Sequence, residues 1–290
     1  MNKTVIAICL TAFMARAISA QAQVAPAAPA TTPATAAPAA PATVAPAAAA
    51  PAAPTPPSWS TTVTPTYVSQ YMFRGSRLGG NSFEPSVTST YGSWSLEVWA
   101  NTPISNSDKV PGQSDPEIDP QGSYTYTIND SMNLQPGFTW YTYVRAPTNQ
   151  GYYRETFEPN LAFNYTVSGI TLTPKFYYDL VLQTATYEFD VAYTVPLKDL
   201  GTEIDLVGTA GFYRGTNVAN GATPDVDAGG NYWLVGFTMP FTINKSTKFI
   251  AGWSYTGGNG AYTQQGNMKR VTNTEAVNRG VFTASLAWTF

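Results

Sequence analysis

The sequence predicts an all-β fold: a transmembrane, antiparallel up-and-down β-barrel of twelve strands, preceded by a disordered Ala/Pro-rich linker. Three observations predict it. Residues 281–290, V-F-T-A-S-L-A-W-T-F, place Phe282, Ala284, Leu286, Trp288 and Phe290 on one face of a strand and small or polar residues on the other. From Ser58 onward, short segments alternate in polarity, and tight turns alternate with mostly longer loops. Residues 1–22 read as an export signal, and no later run of about 18 apolar residues could form a membrane helix.

Taken in order, the chain begins with Lys3, an apolar core over residues 4–15, and a small-residue cleavage site at Ala20-Gln21-Ala22. The single cysteine, Cys9, sits in that core, so a processed chain carries no thiol for a disulfide, a metal or a nucleophile. Loss of Lys3 and Arg16 leaves 13 basic against 18 acidic residues, a net charge of −5 that argues against nucleic acid as a partner. The chain has no histidine, which removes Ser-His-Asp catalysis, imidazole acid–base chemistry and most zinc sites. An enzyme is therefore not expected, and neither is a cofactor or a metal. Residues 23–57 are almost entirely Ala, Pro and Thr, without charge or aromatic side chains. Repeated Ala-Pro steps hold such a stretch extended with nothing to bury, the composition of a semi-rigid periplasmic spacer.

Residues 58–290 form the barrel. Tight turns are predicted at Gly92-Ser93, Asn129-Asp130-Ser131, Ser168-Gly169, residues 198–201 and Asn244-Lys245-Ser246. Longer Gly/Asn/Pro-rich connections occupy residues 75–82, 103–117, 146–153, 215–229 and 257–278, with a short one near Gln183-Thr184. Five tight turns and six other connections give twelve strands, with both ends of the barrel on the tight-turn side. Phasing the strands points Tyr67, Tyr71, Phe73, Leu96, Val98, Leu134, Phe138, Trp140, Leu172, Phe176, Tyr178, Val235, Phe237, Phe241, Phe249 and Trp253 outward. Tyr67, Tyr91, Trp94, Tyr126, Tyr165 and Tyr193 are expected at the tight-turn rim, and Phe83, Phe157, Phe212 and Trp253 at the other, as interfacial girdles. Repeats such as Phe83-Glu84-Pro85 and Phe157-Glu158-Pro159, or Leu134-x-Pro136-x-Phe138 and Leu172-x-Pro174-x-Phe176, suit a wall built from hairpins. Proline lacks a ladder donor, so these prolines are expected near strand ends or bulges.

The run Tyr71-Met72-Phe73-Arg74-Gly75, then Pro85-Ser86-Val87, then Glu97-Val98-Trp99-Ala100-Asn101, resembles the TorF-type family of porins. The resemblance is specific over about residues 67–101 and implies an exported outer-membrane barrel, without implying a solute.

The same phasing turns Arg74, Glu84, Glu97, Asp119, Glu158, Lys175, Asp179, Glu188 and Asp190 into the lumen, with Arg145 and Lys248 as further basic candidates. Two compatible readings follow. One is a pore with an acidic bias, suited to cations or neutral polar solutes. The other is an internal salt-bridge lattice, with Arg74 paired to a carboxylate such as Glu84 or Glu97. Inward Met72, Trp99, Tyr141, Tyr143 and Tyr177 would narrow the passage. Asp115-x-Glu117-x-Asp119 and Asp225-x-Asp227 offer alternate oxygen ligands of the kind that suits calcium, yet neither matches a calcium loop, and a solvated outer loop is the plainer reading. Leu286, Trp288 and Phe290 make a terminal assembly signal. The expected function is an outer-membrane, porin-like channel for passive diffusion of small hydrophilic solutes, cation-leaning. The alternative is a non-conducting structural or surface-interaction barrel. Its partners would be outer-membrane lipids, the barrel-assembly machinery and small hydrophilic solutes.

Overall fold

The structure is a computed structural model that describes residues 58–109, 115–146, 148, 154–215, 228–259 and 278–290. The expected signal and linker, residues 1–57, lie outside the described residues, as do Asp225 and Asp227.

Seventeen strand segments follow in chain order: β1 (Trp59–Thr64), β2 (Thr66–Val68), β3 (Tyr71–Phe73), β4 (Ser76–Gly79), β5 (Ser82–Phe83), β6 (Ser86–Tyr91), β7 (Trp94–Pro103), β8 (Glu117–Tyr124), β9 (Tyr126–Asn129), β10 (Met132–Tyr143), β11 (Glu155–Val167), β12 (Ile170–Asp179), β13 (Thr184–Leu197), β14 (Thr202–Gly215), β15 (Ala228–Asn244), β16 (Thr247–Gly258) and β17 (Arg279–Thr289). Fifteen belong to one sheet; β3 and β4 form a separate pair. β1 with β2, β5 with β6 and β8 with β9 are single staves interrupted once each, so the wall of the described residues has twelve antiparallel staves. The ring closes where β17 pairs with the first stave, at Thr62↔Thr289, Val63↔Trp288 and Tyr67↔Ala284. The Phe290 amide donates to the Thr61 carbonyl at 2.9 Å. Closure removes the edges that an open sheet would offer to aggregation.

All five tight turns fall where the sequence predicts them. At Ser168-Gly169 both residues have positive φ (51° and 80°), the pattern that matches the twist of the flanking strands in a two-residue hairpin.

Alternation decides the two faces. Thr88, Glu97, Thr139, Glu158, Thr186, Thr209 and Ser254 are buried on the inner face, while Leu96, Val98, Leu161, Phe176, Phe189 and Trp253 are exposed on the outer one. Glu158 is 0% exposed and Phe212 57% exposed, the inverse of a water-soluble fold. An apolar exterior on a closed, even-numbered barrel is the design of a bacterial outer-membrane protein. Aromatics gather at both rims: Trp59 stacks on Tyr91 at 5.0 Å and Trp94 meets Tyr124 edge-on at 4.8 Å on the tight-turn side. Phe83, Phe157, Phe212 and Trp253 are exposed towards the other rim.

Three placements are corrected. Tyr67 pairs with Phe83, at the far rim rather than the tight-turn one, because the first stave ends at Val68. Pro136 and Pro174 lie inside β10 and β12 and not at strand ends. Pro136 sits opposite the interruption between β8 and β9, with Leu134↔Tyr126 and Gly137↔Ser123 in unbroken register on either side, so the missing donor opens a gap in the ladder without shifting it. Tyr71 and Phe73 do not face lipid at all. The chain leaves the wall after Val68 and folds β3 and β4 into the barrel, where Tyr71, Met72, Phe73 and Leu78 are buried. Residues 75–82, expected as a loop, include the return strand of this hairpin. Three consecutive buried positions break the wall's alternation, and both faces of such a segment can only be covered inside.

Candidate functional site: the barrel lumen

The lumen is built from the inner faces of the staves and from this hairpin. Its turn is Arg74-Gly75, with φ of 45° and 76° between the paired residues Phe73 and Ser76. A non-glycine residue pays a steric cost in that region unless its side chain is strongly held. Arg74 is held. Its Nη1 donates to Glu158 Oε2 at 2.8 Å and its Nη2 to Glu158 Oε1 at 2.9 Å, a bidentate pair with side chains 6% and 0% exposed. The guanidinium also lies 4.8 Å from the Phe73 ring centre and 4.7 Å from that of Tyr177. The expected partners Glu84 and Glu97 are therefore replaced by Glu158, because the hairpin carries Arg74 away from the first stave and across the lumen. Glu84 accepts instead from Asn101 at 3.0 Å, and Glu97 from Thr88 at 2.6 Å and Gln121 at 2.8 Å.

Aromatic side chains expected to narrow an open passage pack against the hairpin. Tyr71 lies 5.7 Å from Trp99 between ring centres, and Phe73 meets Tyr141 edge-on at 6.0 Å. Tyr141 donates to Glu158 Oε1 at 2.9 Å. Trp99, Tyr141 and Tyr143 belong to one buried cluster with Tyr71, Phe73, Leu78, Leu182, Tyr213 and Tyr232; Tyr177 is half-buried. Glu117, read as part of a solvated outer loop, and Asp119, read both there and as a lumen residue, are buried on the inner face of β8, where Glu117 accepts from the Tyr71 hydroxyl at 2.7 Å. Asp115 pairs with Lys109 at 3.0 Å, so this acidic run does not converge on one point. At the base of the hairpin, hydrogen bonds from Ser105 and Asn81 hold the Asp108 carboxyl below its ordinary value.

A second charged group lies on β12 and β13. Lys175 Nζ sits 2.6 Å from Asp190 and 3.4 Å from Glu188. Glu188 also accepts from Tyr177 at 2.8 Å and from Tyr232 at 2.5 Å, and Asp190 accepts from Thr209. Tyr232 reaches Glu188 across Gly211, its cross-strand neighbour, which in turn pairs with Glu188. A Cβ on Gly211 would lie 2.2 Å from the Tyr232 ring. Gly211→Val should expel that ring, strip one donor from Glu188 and cost about 1–3 kcal/mol. Urea unfolding in detergent checks this, and a midpoint equal to that of the native chain would count against it.

Asp179 is buried at the outer end of β12. It accepts from Thr156 at 2.6 Å and from the Val181 and Leu182 amides at 2.9 and 2.8 Å, closing the short connection to β13. Lys248 and Arg145 are exposed, Lys248 near the tight-turn rim and Arg145 beyond the end of β10. Tyr213, Tyr232 and Glu117 went unnamed as lumen residues. Phase alone would have found them, since Phe212 and Val235 face outward in the same strands as the two tyrosines and Glu117 shares the phase of Asp119.

A sealed wall, an apolar exterior and a charged interior define an outer-membrane β-barrel. The chain belongs to the family described as "Putative MetA-pathway of phenol degradation", whose model matches residues 40–268. Among solved structures it is similar to the KdgM porin (11% identity, 79% of this chain and 99% of that one, TM-score 0.48) and to the NanC porin (11% identity, 79% and 98%, TM-score 0.47). It is also similar to an outer membrane channel from Pseudomonas putida F1 (10% identity, 82% and 97%, TM-score 0.38). No curated protein matches it in sequence.

Proposed function

We propose that this protein is an outer-membrane channel for passive diffusion of small hydrophilic solutes, with a leaning towards cations. The observation that carries the reading is the polar inner face on the tight-turn side of the hairpin. There Glu97 is held by the neutral donors Thr88 and Gln121, Gln135 donates to Ser123 at 3.1 Å, and Asn164 bridges Asn133 and Thr173 at 2.7 and 2.9 Å. A structural core would bury apolar groups here; amides and hydroxyls suit a wet passage. The TorF-type resemblance over residues 67–101 supports a porin, and no catalytic chemistry is implied. Outer-membrane lipids and the barrel-assembly machinery would be its partners, with Leu286, Trp288 and Phe290 as the strand that the machinery reads.

Planar-bilayer recording tests the reading. Heat-modifiable, folded protein should give stepwise conductance with a cation-directed reversal potential, and Glu97→Gln should move that potential towards zero. Glu84→Gln should act in the same direction, and so should Glu158→Gln, since it leaves the Arg74 guanidinium in the lumen without its counter-charge. Absence of steps from folded protein would favour the second reading, a non-conducting structural or surface-interaction barrel, for which the inward hairpin is the supporting observation.

A further inference from the structure

The β3–β4 hairpin differs from the wall in how its backbone is bonded, while its side chains Tyr71 and Phe73 pack on the wall at Glu117, Trp99 and Tyr141. Its two strands bond to each other, in a sheet separate from the barrel's. Its base is tied to the rim after β7, through the Gly79↔Lys109 bridge and the Gly80 amide on the Asp108 carbonyl at 2.6 Å. Its tip meets the wall backbone to backbone, for a Cβ on Gly75 would lie 2.7 Å from the Gly257 carbonyl and 2.8 Å from Gly258 Cα. No interlocking side chain is possible at such a contact. Arg74 reaches staves six and seven at Glu158 and Tyr177, which lie opposite the first stave from which the hairpin springs, so the element spans the lumen.

We propose that this hairpin is a displaceable plug of the outer half of the lumen, latched by the Arg74–Glu158 pair. The proposal rests on the channel reading for its purpose, but its geometry can be tested apart from it. Both latch groups are ionic, and both can be hydrated once the hairpin leaves, when Tyr141 still donates to Glu158. Withdrawal also releases the positive φ of Arg74. Removing the hairpin breaks none of the barrel's own ladder.

The test uses the full chain in a Cys9→Ser background with Thr186→Cys as reporter. Thr186 is fully buried on β13 and lies directly across from Tyr177, which carries the Arg74 guanidinium. Two further variants are compared: one with residues 71–79 replaced by a short Gly-Ser link, and Arg74→Asn, which tolerates the turn conformation and removes the latch. The deletion should raise labelling of the reporter by a charged thiol reagent by about tenfold or more, and single-channel conductance by about threefold. Arg74→Asn should raise both by smaller factors. Equal labelling in all three proteins overturns the plug, whatever the conductance. Faster labelling of the deletion variant without conductance in any protein upholds the plug and removes the channel reading. Should the deletion fail to fold, as shown by lost heat-modifiability, Arg74→Asn decides alone, and unchanged labelling of that variant overturns the proposal.

Discussion

Replacing Arg74 by methionine is expected to destabilise the folded barrel by about 3–5 kcal/mol, the range for removing one partner of a buried ion pair. The reason lies with the residue left behind. Glu158 is 0% exposed, and in the native protein both its oxygens accept from the Arg74 fork, one of them also from Tyr141. Without the guanidinium a carboxylate faces Phe73 and Tyr141 in an aromatic pocket and must take up a proton, draw in water or expel the hairpin. Adding Glu158→Leu should recover most of the loss, since two apolar groups of matching size can replace a buried pair at little cost. Urea unfolding of the single and double variants in detergent gives the comparison. A double variant as unstable as Arg74→Met would mean that the pair is not what holds this part of the lumen together.

Val98→Arg is expected to cost about 2–4 kcal/mol, the penalty for a basic side chain at the hydrocarbon midplane of a barrel. Val98 lies near the middle of β7, is exposed, and faces outward between Val87 and Pro120 of the neighbouring staves. Its solvent in the membrane is acyl chain, and arginine there has no counter-charge on the wall. The same residue introduced at Gln135, half-buried on the polar inner face, should cost under about 1 kcal/mol because water and hydroxyls surround it. Unfolding from lipid vesicles reads both. Equal penalties at Val98 and Gln135 would mean that the two faces do not meet different solvents.

Much of this architecture was legible because β-strands obey a period of two. Fixing Phe176 and Tyr178 as outward also fixes Lys175, Tyr177 and Asp179 as inward, and of these five along β12 Phe176 and Tyr178 are the exposed set. Turn positions followed from Gly, Asn and Ser at short breaks in the alternation. The hairpin escaped for the same reason. Tyr71-Met72-Phe73 continues the first stave in composition, and an alternating template placed Tyr71 and Phe73 on lipid while hiding the fact that Met72 is as apolar as they are. Arg74-Gly75 is a two-residue turn without the usual Asn or Asp before its glycine. Which carboxylate receives Arg74 was not legible at all, for Glu84, Glu97 and Glu158 share one phase, and only the depth to which the hairpin reaches separates them.

The position of the hairpin in the chain has a consequence for the order of assembly. It emerges between the first and second staves, yet Glu158 lies 84 residues further on and Tyr177 later still. The seam that seals the cylinder joins residues 227 apart, on the very stave from which the hairpin hangs. Contacts of such long sequence separation form late. The element must therefore wait as an apolar, positively charged arm until six staves stand. Sealing the cylinder and seating the arm thus both fall late in assembly, and a hairpin that can leave the finished barrel can also be seated after the seam has closed.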